Sequence, residues 1–123
     1  MRREIKFRIW TIESRQMVPW EDCHHYPMSM MFDNPDLYIP QQYSGLKDKL
    51  WKEIYEGDIV KFYYSDPCQA FVQTGSIVYV LDIYGPRFLF QDMNPGLGKR
   101  DLWFTESFFE VIGNIYENPG LLE

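Results

Sequence analysis

Ile77, Tyr79, Leu81 and Ile83 alternate with Val78, Val80 and Asp82 along residues 75–84. A period of two puts the first set on one face of an extended chain and the second on the other. The same rhythm recurs twice. Ile5, Phe7 and Ile9 alternate with Glu4, Lys6, Arg8 and Trp10, and Val60, Phe62 and Tyr64 alternate with Ile59, Lys61 and Tyr63. No long stretch carries the three-and-four spacing of an amphipathic helix. Turn chemistry separates the alternating runs at Ser65-Asp66-Pro67, Tyr84-Gly85-Pro86-Arg87 and Asn118-Pro119-Gly120.

These signals predict a mostly β protein with little helix. Strands are expected at 4–10, near Met17 and Val18, at 28–32, at 38–42, at 53–64 with Gly57-Asp58 near its start, and at 75–84, 87–92 and 109–116. Gly45 to Lys49 reads as a turn-prone stretch, and residues 105–109 as a single helical turn capped by Thr105. Strands at 57–64, 75–84, 87–92 and 109–116 have the count and spacing of a small SH3-like barrel. The expected organisation is one unit over 1–123, in two lobes: an N-terminal β lobe at 1–46 and a C-terminal small barrel at 47–123.

Charge narrows the partners. The chain carries 12 basic and 18 acidic side chains, a net charge of −6. Three of the basic and eight of the acidic residues lie in 62–123, so most of the imbalance is in that half. A nonspecific duplex binder needs clustered cations to displace phosphate counterions. Arg2, Arg3, Lys6 and Arg8 are the only such cluster, and they read as a solvated strand face. Tyr43, Tyr55, Tyr63, Tyr64 and Trp103 could stack bases, but the cationic groove that single-strand binders add is missing from the second half. No run approaches the roughly 20 apolar residues that span a bilayer. The opening residues alternate and form no apolar block, so no signal peptide and a cytoplasmic location are expected.

Three segments carry a family resemblance: REIKFRIW at 3–10, QYSGLKDKLWKEIYEGDIV at 42–60, and EVIGNIYENPGLL at 110–122. The chain resembles the YopX family of phage and prophage proteins. The resemblance implies a mostly β protein with two barrel-like parts, encoded by mobile elements and acting in a bacterial cytoplasm. It makes self-association plausible, and it implies no catalytic residue. The family has an Asn-Gly pair where this chain has Leu50-Trp51, Thr where it has Ser44, and Glu where it has Gly120. Asn and Gly tolerate the positive φ of a tight hairpin, whereas Leu and Trp resist it. Leu50-Trp51 is therefore the leading interaction candidate: Trp51 either folds back on its own sheet or docks into a neighbouring subunit or partner.

Other candidates are weaker. Met28, Met30 and Met31 with Phe32 form an apolar knot among four prolines, read as gap-filling core or, at Met30 and Met31, as an adaptable contact surface. Glu56 and Asp58 are two apart, so a strand would point both the same way, as acid–base work or metal binding requires. The simpler reading is a bulge at Gly57 with both acids solvated. Cys23-His24-His25 invites zinc, but adjacent side chains on an extended chain diverge, and Cys68 or a carboxylate would have to arrive from afar. Gly96-Leu97-Gly98-Lys99-Arg100 lacks the Ser or Thr and the helix of a phosphate loop. Asp82 needs a partner only if its face is buried.

The function expected from these readings is a noncatalytic accessory protein of phage or prophage origin. It is a homo-oligomer and binds a host or phage protein, with no membrane and no cofactor. The alternatives are a nucleic-acid-associated accessory protein using Arg2, Arg3, Lys6 and Arg8, and a small metabolite-binding protein or enzyme using Glu56 and Asp58.

Overall fold

The computed structural model describes residues 4–23, 27–65, 67–102 and 105–123, apart from the side chains of Met28, Asp82 and Pro95. Among the described residues nine strands form two antiparallel sheets. The first has the order β2-β1-β3-β4, from β1 (Phe7–Thr11), β2 (Gln16–Val18), β3 (Tyr38–Lys47) and β4 (Glu53–Tyr55). The second, a half-barrel, has the order β8-β7-β6-β5-β9. Its strands are β5 (Asp58–Ser65), β6 (Ala70–Asp82), β7 (Gly85–Asp92), β8 (Lys99–Asp101) and β9 (Phe109–Asn114). The mostly β expectation holds, and so does the expected helical turn, which is α3 (Thr105–Phe108).

Proline placement explains part of the first sheet. Pro40 lies inside β3 opposite Ile9, but β4 meets β3 only from Tyr43 onward. Among the described residues no strand pairs with the other side of β3 at Pro40, so the missing N–H breaks no ladder. The segment expected as a strand at 28–32 is instead the helix α2 (Met28–Asp33). Pro27 supplies a carbonyl that accepts from the N–H groups of Met30 and Met31, and Asn34 donates to the carbonyl of Met30 at 2.6 Å. Among the described residues no strand lies beside this short run between Pro27 and Pro35, and helical bonds close locally. A second short helix, α1 (Trp20–Cys23), follows Pro19.

The expected strand at 53–64 divides between the sheets. Gly57 has φ +83, a conformation that glycine alone adopts without strain, and the chain turns there from β4 into β5. A Cβ at this position would also collide with the side-chain amide of Gln41. The turn-prone stretch at 45–49 begins late, because β3 continues through an irregularity at Gly45, φ +86, to Lys47.

The main core lies against the second sheet. Phe62, Phe90 and Phe109 are fully buried with Ile54, Val60 and Ile77. The ring of Phe62 lies 5.0 Å from that of Phe109 and 6.2 Å from that of Phe90. Burial of such a ring contributes about 1.5–3 kcal/mol. A smaller core beneath the first sheet joins Ile9, Cys23 and Met31.

Two contacts flank the passage of the chain from β4 to β5 and the end of β9. Gln42 and Glu56 exchange bonds: the Glu56 N–H donates to the Gln42 carbonyl at 3.0 Å, and the Gln42 N–H to the Glu56 carboxylate at 2.8 Å. Trp10 of β1 stacks on Tyr116, just beyond β9, with 5.5 Å between ring centroids.

Candidate functional site

The turn between β3 and β4 is built on one carboxylate. Asp48 is buried, 1% exposed. Its Oδ1 accepts the N–H groups of Leu50 at 2.9 Å and Lys52 at 2.8 Å. Its Oδ2 accepts the N–H of Val111 on β9 at 2.8 Å. The neighbouring Lys49 N–H donates to the Phe109 carbonyl at 2.9 Å. The turn thus covers the outer edge of β9, which would otherwise present unpaired backbone groups.

Within this frame the Trp51 N–H donates to the Asp48 carbonyl at 3.0 Å, and Trp51 takes φ +64. The next bond, Asp48 N–H to Lys52 carbonyl at 2.9 Å, closes the hairpin. A turn followed by a left-handed residue is the usual way to end such a loop, and glycine is the residue that fits it. Here an indole occupies that position. Leu50 and Trp51 remain 68% and 67% exposed. Trp51 therefore does not fold back onto its own sheet. The Lys47 ammonium lies 5.6 Å from the Trp51 ring. Lys49 is held on the other side, 4.0 Å from the Tyr63 ring and 3.7 Å from Glu110. The tip is an apolar pair framed by lysines on a fixed base.

The second polar cluster sits where the sheets meet. Arg8 of β1 pairs with Asp58 of β5 at 2.7 Å, and its Nε donates to Gln41 at 2.6 Å. Its guanidinium lies 4.8 Å from the Tyr55 ring. Asp58 also accepts the Tyr55 N–H at 2.8 Å. Burial pushes the Asp58 carboxyl up from its usual range, and Arg8 and the Tyr55 N–H oppose that push. Burial likewise raises the Tyr55 phenol to about 12. The expectation that Glu56 and Asp58 are both solvated is corrected: Asp58 is 1% exposed, and Glu56 accepts a backbone bond. Two residues apart across a glycine turn, they are committed to different partners.

The basic cluster is also corrected. Lys6 bonds Glu53 at 2.7 Å and Arg8 is mostly covered in its pair with Asp58, so neither belongs to a solvated strand face. Arg2 and Arg3 lie outside the described residues. An open groove of 290 Å³ beside Arg8 is lined by Trp20, Lys52, Glu53 and Tyr55, so acids and bases share its wall.

Met31 is 3% exposed and packs with Ile9 and Cys23, so it is core and not a contact surface; Met30 is half-buried. Cys23 is buried and Cys68 exposed, and neither is in a disulfide among the described residues. His24 and His25 fall outside the described residues, as does Trp103. Among the described residues no three His, Cys, Asp or Glu side chains converge as metal ligands. No helix among them is long and apolar enough to cross a membrane. Sequence reasoning missed Asp48 and Gln41. The signal for Asp48 was local: Asp opening a tight turn accepts N–H groups two and more residues on.

Two antiparallel sheets joined by a buried ion pair and closed by an aspartate-braced turn define an all-β protein with an apolar hairpin tip. The chain belongs to the YopX protein family, whose family model matches residues 29–123. Its fold is similar to that in the crystal structure of protein EF1440 from Enterococcus faecalis, with a TM-score of 0.63 at 24% identity. The similarity covers 98% of this chain and 99% of that one. No curated protein gives a significant match.

Proposed function

We propose that this protein is a noncatalytic, self-associating interaction module of phage or prophage origin, acting in the bacterial cytoplasm through a host or phage protein. One observation carries the reading. Leu50 and Trp51 stand in water on a turn whose base is fixed by three bonds to Asp48. Exposed aromatic anchors on a rigid frame are what interfaces use, because little conformational freedom is lost when they are buried. The noncatalytic reading is supported by the commitment of Glu56 and Asp58 to structural bonds. Acid–base work needs a carboxylate free to exchange a proton with substrate. Engagement of Lys6 and Arg8 weakens the nucleic-acid alternative in the same way.

The test is a tagged pull-down from bacterial lysate with and without nuclease, comparing wild type with Leu50→Asn/Trp51→Gly. A defined protein retained after nuclease and lost with the double variant supports the module. Recovery that is nuclease-sensitive, or equal for both baits, overturns the assignment to the tip.

A further inference from the structure

β6 and β7 outrun the rest of their sheet. Their register extends from Gly75 opposite Asp92 to Asp82 opposite Gly85. On one side, β5 reaches only as far as Ser76, and the last bond there is from the Gly57 N–H to the Ile77 carbonyl at 2.7 Å. On the other side, β8 pairs only with Leu89, Phe90 and Gln91. Residues 78–88 therefore form a two-stranded arm with no strand beside it among the described residues. A two-stranded ribbon alone in water is marginally stable.

The arm carries the apolar alternation of the core outward, past Phe88 at the core's margin. Ile77 and Phe90 face each other and are buried, at 1% and 0%. The next position on the same face, Tyr79, is 49% exposed and packs edge-on against Phe88. Leu81 beyond it is 76% exposed, and at the turn Ile83 and Tyr84 are 91% and 76% exposed. Free strands and their ends are normally blunted with charge or proline. Here residues 78–88 hold one acid, one arginine and one proline.

We infer that this arm is the self-association surface and that its occupant is the same arm of a second copy, packed about a two-fold axis. The inference rests on the proposal that the protein self-associates, and it assigns the association to a surface other than the hairpin tip. Area supports it. The exposed parts of Tyr79, Leu81, Ile83 and Tyr84 offer roughly 600 Å² per copy before any backbone is counted, against about 800 Å² per partner in a standard stable interface. Charge supports it as well. The chain carries −6, but residues 78–88 carry one acid and one base and are neutral. Two like-charged copies meet with little local repulsion there. An antiparallel ribbon presents the same patch to its own copy, as a two-fold interface requires.

Sedimentation velocity on the full chain across micromolar concentrations tests this, with Leu81→Glu/Ile83→Glu as the arm variant and Leu97→Glu as an exposed control. The expected result is wild type and control at the mass of a dimer or a multiple of it, and at least a twofold fall in mass for the arm variant with its circular dichroism unchanged. Wild type at monomer mass throughout would overturn self-association itself. A dimeric wild type whose arm variant keeps that mass would overturn the arm alone. Should the arm variant fail to fold, Ile83→Cys in a Cys68→Ser background replaces it. Oxidation should then cross-link copies through position 83 faster than through Leu97→Cys, and equal rates reject the arm.

Discussion

Arg8 Nη2 lies 2.7 Å from Asp58 Oδ1, and this buried pair joins the first sheet to the second. Removing one partner of such a pair strands the other charge in a poorly solvated site. Arg8→Ala should cost about 3–5 kcal/mol at neutral pH. Arg8→Lys should recover little, because a lysine cannot bond Gln41 and Asp58 in the same fork.

The pH dependence of that loss has a definite sign. Burial already raises the Asp58 carboxyl above its ordinary value of 3.8 while Arg8 opposes the shift. Without Arg8 the carboxyl rises further. A group raised in the folded state contributes its stability below its unfolded pKa and loses it as pH rises through the folded value. The Arg8→Ala deficit relative to wild type should therefore shrink as pH falls from neutral toward the unfolded value. Urea midpoints measured at pH steps over this window check it; a deficit independent of pH would reject the buried-charge account.

Asp48 predicts a local collapse. Asp48→Ala removes acceptors for the N–H groups of Leu50, Lys52 and Val111. Loss of these charge-assisted bonds should destabilise the fold by about 2–4 kcal/mol. Amide exchange should rise most at those three residues. Uniform acceleration across β5 and β6 instead would mean that Asp48 supports the whole sheet and not the turn.

The strand content was legible because alternation reports a half-buried face directly. Ile77 and Tyr79, or Phe62 and Tyr64, share a face whatever their strand neighbours are. What alternation does not encode is where a strand's partners stop. Tyr79 and Leu81 have the same pattern as Ile77, yet they project beyond β5. Helix α2 was misread because a short apolar run fits either period, and Pro27 and Pro35 decide by limiting what can pair. Of the site, Leu50-Trp51 was visible as an apolar pair between lysines. The Arg8–Asp58 pair and the bond from Val111 to Asp48 were not, since sequence spacing is silent about contacts between residues 50 or more apart in the chain.

The buried and half-buried tyrosines should titrate late. Burial holds Tyr55 up at about 12 and raises Tyr43 and Tyr116 as well. A phenol raised in the folded state adds stability below its unfolded value near ~10 and withdraws it as pH rises through the folded one. Part of the phenolate absorbance should then appear only as the circular dichroism of the fold is lost. Complete, reversible titration of all nine tyrosines with the fold intact would contradict this burial.

Trp51 gives the sharpest test, because stability and function should move in opposite directions. At φ +64 a side chain with a Cβ is strained by about 1–2 kcal/mol, and glycine gives part of that back as unfolded-state entropy. The indole is mostly in water, so its removal costs little packing. Trp51→Gly should leave the protein as stable or more stable, by up to ~1 kcal/mol. The same change should weaken capture of the partner that the tip binds, if a bulky ring is kept in this strained position for its contacts. Denaturant midpoints and pull-down yield on the same preparation decide the matter. Lower stability with unchanged capture would make Trp51 a packing residue and remove the tip from the interface.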